Sequence, residues 1–320
     1  MFAYIYSICI IELMKNSKTK QLIEKIHSRV KDFVNGSDYI NYLKFIKKFR
    51  KRSFFNQMLI WITKENSTFV MGYKQWIDKF NRIPVACVIC RALANKDCEC
   101  EERTPSVRIP QLAPITYKYE DKEGEEKDGI YFKTVYVFDI SDTEPLPDLP
   151  IKEVFEDGFD LGIEKLDVEV QFEKLEPVLK KIIEDNGFKF RYEQITSESL
   201  GGWTDHALKE IVCKENTNNS DKLHTLLHEI GHMFAHSREN LNNKNFFRPL
   251  IETEAETIAF VVADYLGIDT SCYSIGYITS WSGGDDDILE DSVKAVVDTS
   301  NKMIDLIEIE IGDKVDIRST

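Results

Sequence analysis

The chain has 320 residues, 42% of them hydrophobic and 30% charged. This is the composition of a globular protein with material for one large core or two ordinary ones, and it excludes a disordered chain. The net charge of −14 is unevenly spread: residues 15–82 carry 16 Lys/Arg against 5 Asp/Glu, whereas residues 83–320 carry 25 against 49. A basic first part on an acidic body fits either a polyanion-binding arm or a solvated basic helical region.

Residues 1–13 are nearly all apolar, with Glu12 the only charge. They lack a basic flank and a small-residue cleavage site and are too short to span a bilayer. Met14-Lys15-Asn16-Ser17 opens a conventional polar N-terminus, so 1–14 is expected to be a non-native or flexible segment, with translation starting at Met1 or Met14. No other stretch approaches a membrane span. Seven cysteines, four of them within Cys87–Cys100, do not read as an extracellular disulfide framework. The expected setting is the cytoplasm, with no membrane partner.

Helical spacing of Leu22, Ile23, Ile26, Val30 and Phe33 predicts a helix over 17–35, and a second follows over about 39–49. A basic cluster, Lys47 to Arg52, leads into an aromatic-apolar run at 53–62. Residues 83–135 read as mostly irregular, with strands at 115–119 and 134–138 flanking a charged hairpin loop over 120–128. The Pro-rich Glu144–Pro150 is the expected domain boundary. Beyond it come a helix at 172–186 stopped by Gly187, strands at 189–195 and 210–214, a turn with a helix cap at 216–220, and helices over 221–237, 249–266 and 287–309. Domains are accordingly expected at 15–150 and 171–320, joined by a linker over 151–170.

His228-Glu229-Ile230-Gly231-His232 is an H-E-x-x-H sequence. On a helix, positions i and i+4 share a face, so both imidazoles can reach one Zn²⁺, with Glu229 placed as general base. A catalytic zinc needs a third protein ligand and an open position. Ala235 and Arg238 stand where a metzincin needs Gly and His. The next helix offers Glu252 and Glu256 on one face, with Glu254 pointing away. Glu252 is assigned as third ligand and Glu256 as hydrogen-bond partner of a ligand histidine; the reverse arrangement remains open. His236 falls on the same face as His232. Ile211–Cys213 suits an edge strand that could hold an extended peptide. Tyr277 is a candidate transition-state donor and Trp281 a second aromatic near the cleft.

Residues 188–281 resemble the ImmA/IrrE family of small gluzincins. The resemblance rests on Gly201-Gly202-Trp203, Thr225–His232, Glu252–Phe260 and Tyr277-Ile278-x-x-Trp281. It implies zinc held by His228, His232 and Glu252, with Glu229 as catalytic base, in proteins that include repressor-cleaving proteases. The first half resembles the single-stranded DNA-binding domain of ArdC-like antirestriction proteins. That resemblance rests on Asn56–Ile60, Gly72–Trp76, Leu112-Ala113-Pro114 and Phe132–Glu144. Together they imply an α+β protein of two domains, an ArdC-like module and a minimal gluzincin with helices packed on a small antiparallel sheet. They also imply an antirestriction or regulatory role on a mobile genetic element. The expected partners are single-stranded DNA and a protein substrate such as a repressor or a restriction component. A non-proteolytic DNA-coating protein with a structural or vestigial zinc site is the competing reading.

Candidate DNA-binding residues are Lys48, Arg50, Lys51, Arg52, Phe54, Tyr73, Lys74, Trp76 and Arg82: cations for phosphates, rings for bases. The family's Gly-Arg-x-Val-x-x-Gly-Glu-like stretch is missing after Arg82, and Ile83–Ile109 stands in its place. There Cys87, Cys90, Cys98 and Cys100 either enclose a second, structural zinc or stand as reduced thiols.

Overall fold

The computed structural model describes residues 21–22, 24–25, 37–93, 100–102, 104–120, 126–147, 149–150, 152, 168–237, 248–268 and 286–315. The expectations for residues 1–14, for most of the helix at 17–35, for most of the linker at 151–170, and for Cys98, Tyr277 and Trp281 lie outside the described residues. By its internal contacts the chain divides into two compact units. Among the described residues, 21–25 and 48–152 fall in the first, and 37–47 with 168–315 in the second.

The helix expected over 39–49 forms at Ser37–Ile46 (α1), followed by a 3-10 turn at Lys47–Phe49. It belongs with the second unit, not with the module expected at 15–150. Tyr39, Tyr42, Leu43 and Ile46 recur at helical spacing and are fully buried, which gives α1 an apolar face to pack on the helix Arg248–Leu266. Lys47 Nζ, 2.9 Å from Asp264 Oδ2, pins its end there.

In the first unit, the apolar run becomes α2 (Phe54–Thr63). β1 (Val70–Gly72), α3 (Tyr73–Phe80) and β2 (Arg82–Pro84) follow. Then a long hairpin of β3 (Ile109–Glu120) and β4 (Glu126–Asp139) gives way to β5 (Thr143–Pro145). One antiparallel sheet has the order β1-β4-β3, and β2 pairs with β5.

The hairpin is much longer than the strands expected at 115–119 and 134–138. Pro110 and Pro114 argued against a strand, because each lacks an N–H. Yet β3 lies at the sheet edge, and alternate N–H groups point away from β4. Leu112, on the same phase, donates its N–H outward to Asn56 Oδ1 at 2.7 Å, so the prolines forfeit no ladder bond.

Trp76 is fully buried with Phe69 and Phe138, and its Nε1 donates to the Phe138 carbonyl at 2.9 Å. Trp76→Phe is therefore expected to cost about 1 kcal/mol of stability through the lost hydrogen bond, measured by denaturant titration. A base-stacking tryptophan would lose nucleic-acid affinity instead.

The second unit adds α4 (Val168–Asp185), β6 (Lys189–Glu193), β7 (Gly202–Asp205), β8 (Glu210–Lys214), α5 (Asn219–Ala235), α6 (Arg248–Leu266) and α7 (Asp286–Val315). Gly187 and Gly267, with φ of 77° and 69°, end α4 and α6 in the left-handed conformation that glycine tolerates. Asn218 caps α5 by accepting from the Asp221 N–H at 2.8 Å. α5 packs between α4 and α6, and α6 against α7. α6 is buried through Leu250, Ala255, Ile258, Ala259, Val262 and Leu266.

The α+β architecture with small sheets is thus observed, with one refinement. The second sheet has the order β6-β8-β7, in which β7·β8 is antiparallel and β6·β8 parallel. β8 is its central strand, so Ile211–Cys213 is not an edge. Its three consecutive buried residues mark a strand covered on both faces. The edges are β6 and β7, each of which pairs only with β8 among the described residues.

Candidate metal centre

α5 presents His224, His228 and His232 one turn apart, and α6 crosses it with Glu252 and Glu256. The two helices are in close contact at Gly231: a Cβ there would lie 3.4 Å from the Ala255 carbonyl oxygen and from Ile258 Cγ2, which leaves little room for a larger side chain. On the other side, β7 reaches α5 through Gly202, where a Cβ would come within 2.6 Å of the Val212 carbonyl oxygen and 2.9 Å of Thr225 Cγ2. The Gly201-Gly202 pair is thus a packing requirement of the site.

His228 Nε2 and His232 Nε2 lie 3.0 Å apart, and Glu252 Oε2 is 3.5 Å from each. A tetrahedral ion with metal–ligand bonds of about 2.0–2.1 Å needs donor–donor edges of about 3.3 Å. Two imidazole nitrogens and one carboxylate oxygen at this separation match that donor set.

The other ring nitrogens are engaged. Glu256 Oε2 lies 3.1 Å from His228 Nδ1 and also 3.1 Å from His224 Nε2. His232 Nδ1 is 2.9 Å from His236 Nδ1, whose Nε2 is 2.9 Å from Glu254 Oε2. Each candidate ligand histidine therefore leans on a carboxylate, directly for His228 and through His236 for His232. Such partners fix ring orientation and leave Nε2 for a metal.

Glu254 does point away from the Nε2 pair, as expected. It is nevertheless only 1% exposed, under His236 at 3%. Spacing alone could not reveal that inner relay, since the crossing of the two helices creates it.

Glu229 is buried, and its Oε2 accepts from Thr204 Oγ1 of β7 at 2.8 Å. Burial raises its pKa, with Glu252 adding to the effect and His228 and the Thr204 bond opposing it. For His228, burial works against charge, but hydrogen bonds to Glu252 and Glu256 win and lift it to about 9. Burial, with His228 and His236 nearby, pushes His232 down to about 4 against the pull of Glu252. Burial also opposes ionisation of Glu256, yet the His224 and His228 hydrogen bonds draw it down to about 2. Glu252 is held well below the usual carboxylate range by its two histidine hydrogen bonds.

Between those two histidine values the pair carries one proton more than two neutral imidazoles, and a cation at Nε2 must displace it. Binding of Zn²⁺ near pH 7 is expected to release about one proton. Apparent affinity should rise about tenfold per pH unit until His228 loses its proton near pH 9 and then level off. Titration calorimetry in buffers of different ionisation enthalpy measures the release.

The basic candidates of the first unit separate. Lys48, Lys51 and Lys74 are exposed, and Tyr73 is 41% exposed. Lys48, Arg50, Lys51 and Arg52 line a recess of about 130 Å³ with Val70, Met71 and Gln75. Of the aromatic candidates, Phe54 and Trp76 are core and not base-stacking, because each completes an apolar face. Arg52 is committed to Gln111 Oε1 and the Val70 carbonyl, and Arg82 to Thr143. Both guanidiniums hold strands together. Sequence reasoning missed Tyr117, Tyr119 and Tyr131, exposed on the hairpin with ring centroids 5.8–5.9 Å apart. The alternation of Tyr117 and Tyr119 along β3 was the available signal; Tyr131 joins them from β4.

A bundle of two crossing helices that offers a His-His-Glu donor set, backed by a small mixed sheet, is a metallopeptidase-like arrangement. Residues 163–269 match the IrrE N-terminal-like domain, peptidase M78. The chain is 23% identical to the Bacillus anthracis protein pXO2-81 over 92% of its own length, and it spans about half (52%) of that relative. It is also similar to the antirestriction ArdC protein of plasmid R388. The metal-free crystal structure gives 17% identity and a TM-score of 0.45 over 82% of this chain and 86% of that one. The Mn(II)-bound structure gives 14% and 0.42 over 81% and 85%. Among the described residues, no helix is long and apolar enough to cross a membrane.

Proposed function

We propose that the second unit is a zinc-dependent endopeptidase of the gluzincin type. The observation that carries this reading is the approach of His228 Nε2, His232 Nε2 and Glu252 Oε2 within 4.8 Å of one another, beside the buried carboxylate of Glu229. A divalent ion held by these three residues would supply Lewis acidity to a scissile carbonyl and to an attacking water. Glu229 is the general base that takes the proton of that water. Thr204 holds one Glu229 oxygen and so fixes the plane of the carboxylate. Glu256, and the His236–Glu254 pair, orient the two imidazoles. The free edge of β7 can align an extended peptide by backbone pairing. Tyr277, as transition-state donor, completes the proposed set.

In the same reading the first unit binds single-stranded DNA through Lys48, Lys51, Lys74 and Tyr73, and the resemblance to ArdC-like proteins supplies an antirestriction or regulatory role on a mobile element. The exposed hairpin tyrosines favour a second reading, in which DNA coating alone is the activity and the metal is structural. Incubation with an unfolded protein substrate separates the two. Fragments are expected with zinc-loaded protein, none after chelation, and fragments again after zinc is restored. A zinc-loaded chain that cleaves neither an unfolded protein nor a repressor supports the coating protein.

A further inference from the structure

In the first unit, the sulfurs of Cys87, Cys90 and Cys100 lie within 4.8 Å of one another, with Cys87 Sγ and Cys100 Sγ 3.9 Å apart. Thiolates on a tetrahedral zinc, at about 2.3 Å each, stand about 3.8 Å apart. The local backbone has the shape such a site requires. Ala86 N–H donates to the Ala92 carbonyl at 2.7 Å, and Val85 bridges Leu93. Between them the chain reverses, which turns Cys90 back toward the buried Cys87.

The reversal passes through Arg91 in the left-handed region, at φ 59°. A non-glycine residue there costs about 1–2 kcal/mol, so something must hold it. Arg91 donates to Glu144 Oε1 at 2.5 Å, to the Ser141 carbonyl at 2.7 Å and to the Thr143 carbonyl at 2.8 Å. The returning segment, which carries Cys100, has its own hydrogen bonds. Val88 N–H donates to the Thr104 carbonyl at 2.8 Å, and Val107 N–H to Asp142 Oδ2 at 2.9 Å. The Asp142 carbonyl also accepts from Val85 N–H at 2.9 Å. Both arms of the loop thus hang on one residue, Asp142, and present their thiols to a common point.

We propose that Cys87, Cys90 and Cys100 hold a structural zinc ion, separate from the histidine centre. The ion would tie the segment after β2 to the segment before β3, where the chain departs from the ArdC-like pattern. Cys98, two residues before Cys100 in the sequence, is left intact in the test.

The test uses the full chain carrying His228→Ala and His232→Ala, which removes the other candidate donor set. After zinc loading under reducing conditions and dialysis, it is expected to keep about one zinc per chain. Its cobalt(II) form is expected to show sulfur-to-cobalt charge-transfer absorption. Adding Cys87→Ser and Cys100→Ser should lower the zinc content about tenfold or more and remove that band, whereas adding Cys213→Ser should change neither. Because Cys87 is buried, its replacement could unfold the unit. Replacing the exposed Cys90 by Ser is the second arm, expected to remove the sulfur band with the circular dichroism unchanged. Retention of less than about a tenth of a zinc per chain, cobalt bound without the sulfur band, or a disulfide between two of the three thiols under these conditions would overturn the proposal.

Discussion

Glu229→Gln is expected to lower peptide hydrolysis by about 10²–10⁴-fold, the usual contribution of a positioned general base, while leaving zinc content unchanged. The separation is possible because Glu229 is not one of the three clustered donors. Its side chain accepts a hydrogen bond from Thr204 Oγ1. Glutamine keeps the shape, and its amide oxygen can accept the same hydroxyl, so neither α5 nor β7 needs to move. What disappears is the basicity. Burial, the largest influence on Glu229, raises its pKa and brings it closer to the pH at which a base works best. A Gln variant that digests substrate at the wild-type rate would remove Glu229 from the chemistry and leave the coating protein as the better reading.

The two helices of the centre were legible in the sequence because helix periodicity is a local property. His228, His232, Glu252 and Glu256 could be sorted onto faces from spacing alone, with the boundaries of α5 and α6 set by Asn218 and Gly267. What depends on a second element was not legible. The His236–Glu254 bond requires the crossing of α5 and α6. The central place of β8 requires β6 to join it in parallel, which no turn signal announces. β7 was not foreseen, since Gly201 and Gly202 at its start weaken the strand signal yet let the strand approach α5. In the first unit, prolines in β3 suggested irregular chain because their cost depends on which side of the strand has a partner. Trp76 and Phe54 read as base-stacking candidates for a similar reason, since an aromatic residue beside lysines has no face until the fold supplies one.

The carboxylates around the histidines should form a ranked series when each is changed to alanine and zinc affinity is measured by competition with a chromophoric chelator. Glu252→Ala is expected to cost the most, more than about 100-fold, because its Oε2 is the third vertex beside the two Nε2 atoms. Glu256→Ala and Glu254→Ala should each cost about 10–100-fold, the range found for partners that orient a ligand histidine. Their effects differ in kind. Glu256 faces both His224 and His228 and is partly accessible, so water can replace some of its hydrogen bonding. Glu254 is sealed beneath His236, and its loss leaves a buried ring nitrogen unsatisfied, adding about 1–3 kcal/mol of instability even without metal. Glu254→Ala should therefore lower the melting temperature of the metal-free protein more than Glu252→Ala, whose ion pairs with the histidines are weakened by solvent at a half-exposed position. If Glu256→Ala exceeded Glu252→Ala in its effect on affinity, the two glutamates would have to exchange roles, with Glu256 on the metal and Glu252 supporting it. The geometry argues against that exchange: Glu256 meets His228 at Nδ1, 3.1 Å away, on the opposite edge of the ring from the Nε2 that faces His232.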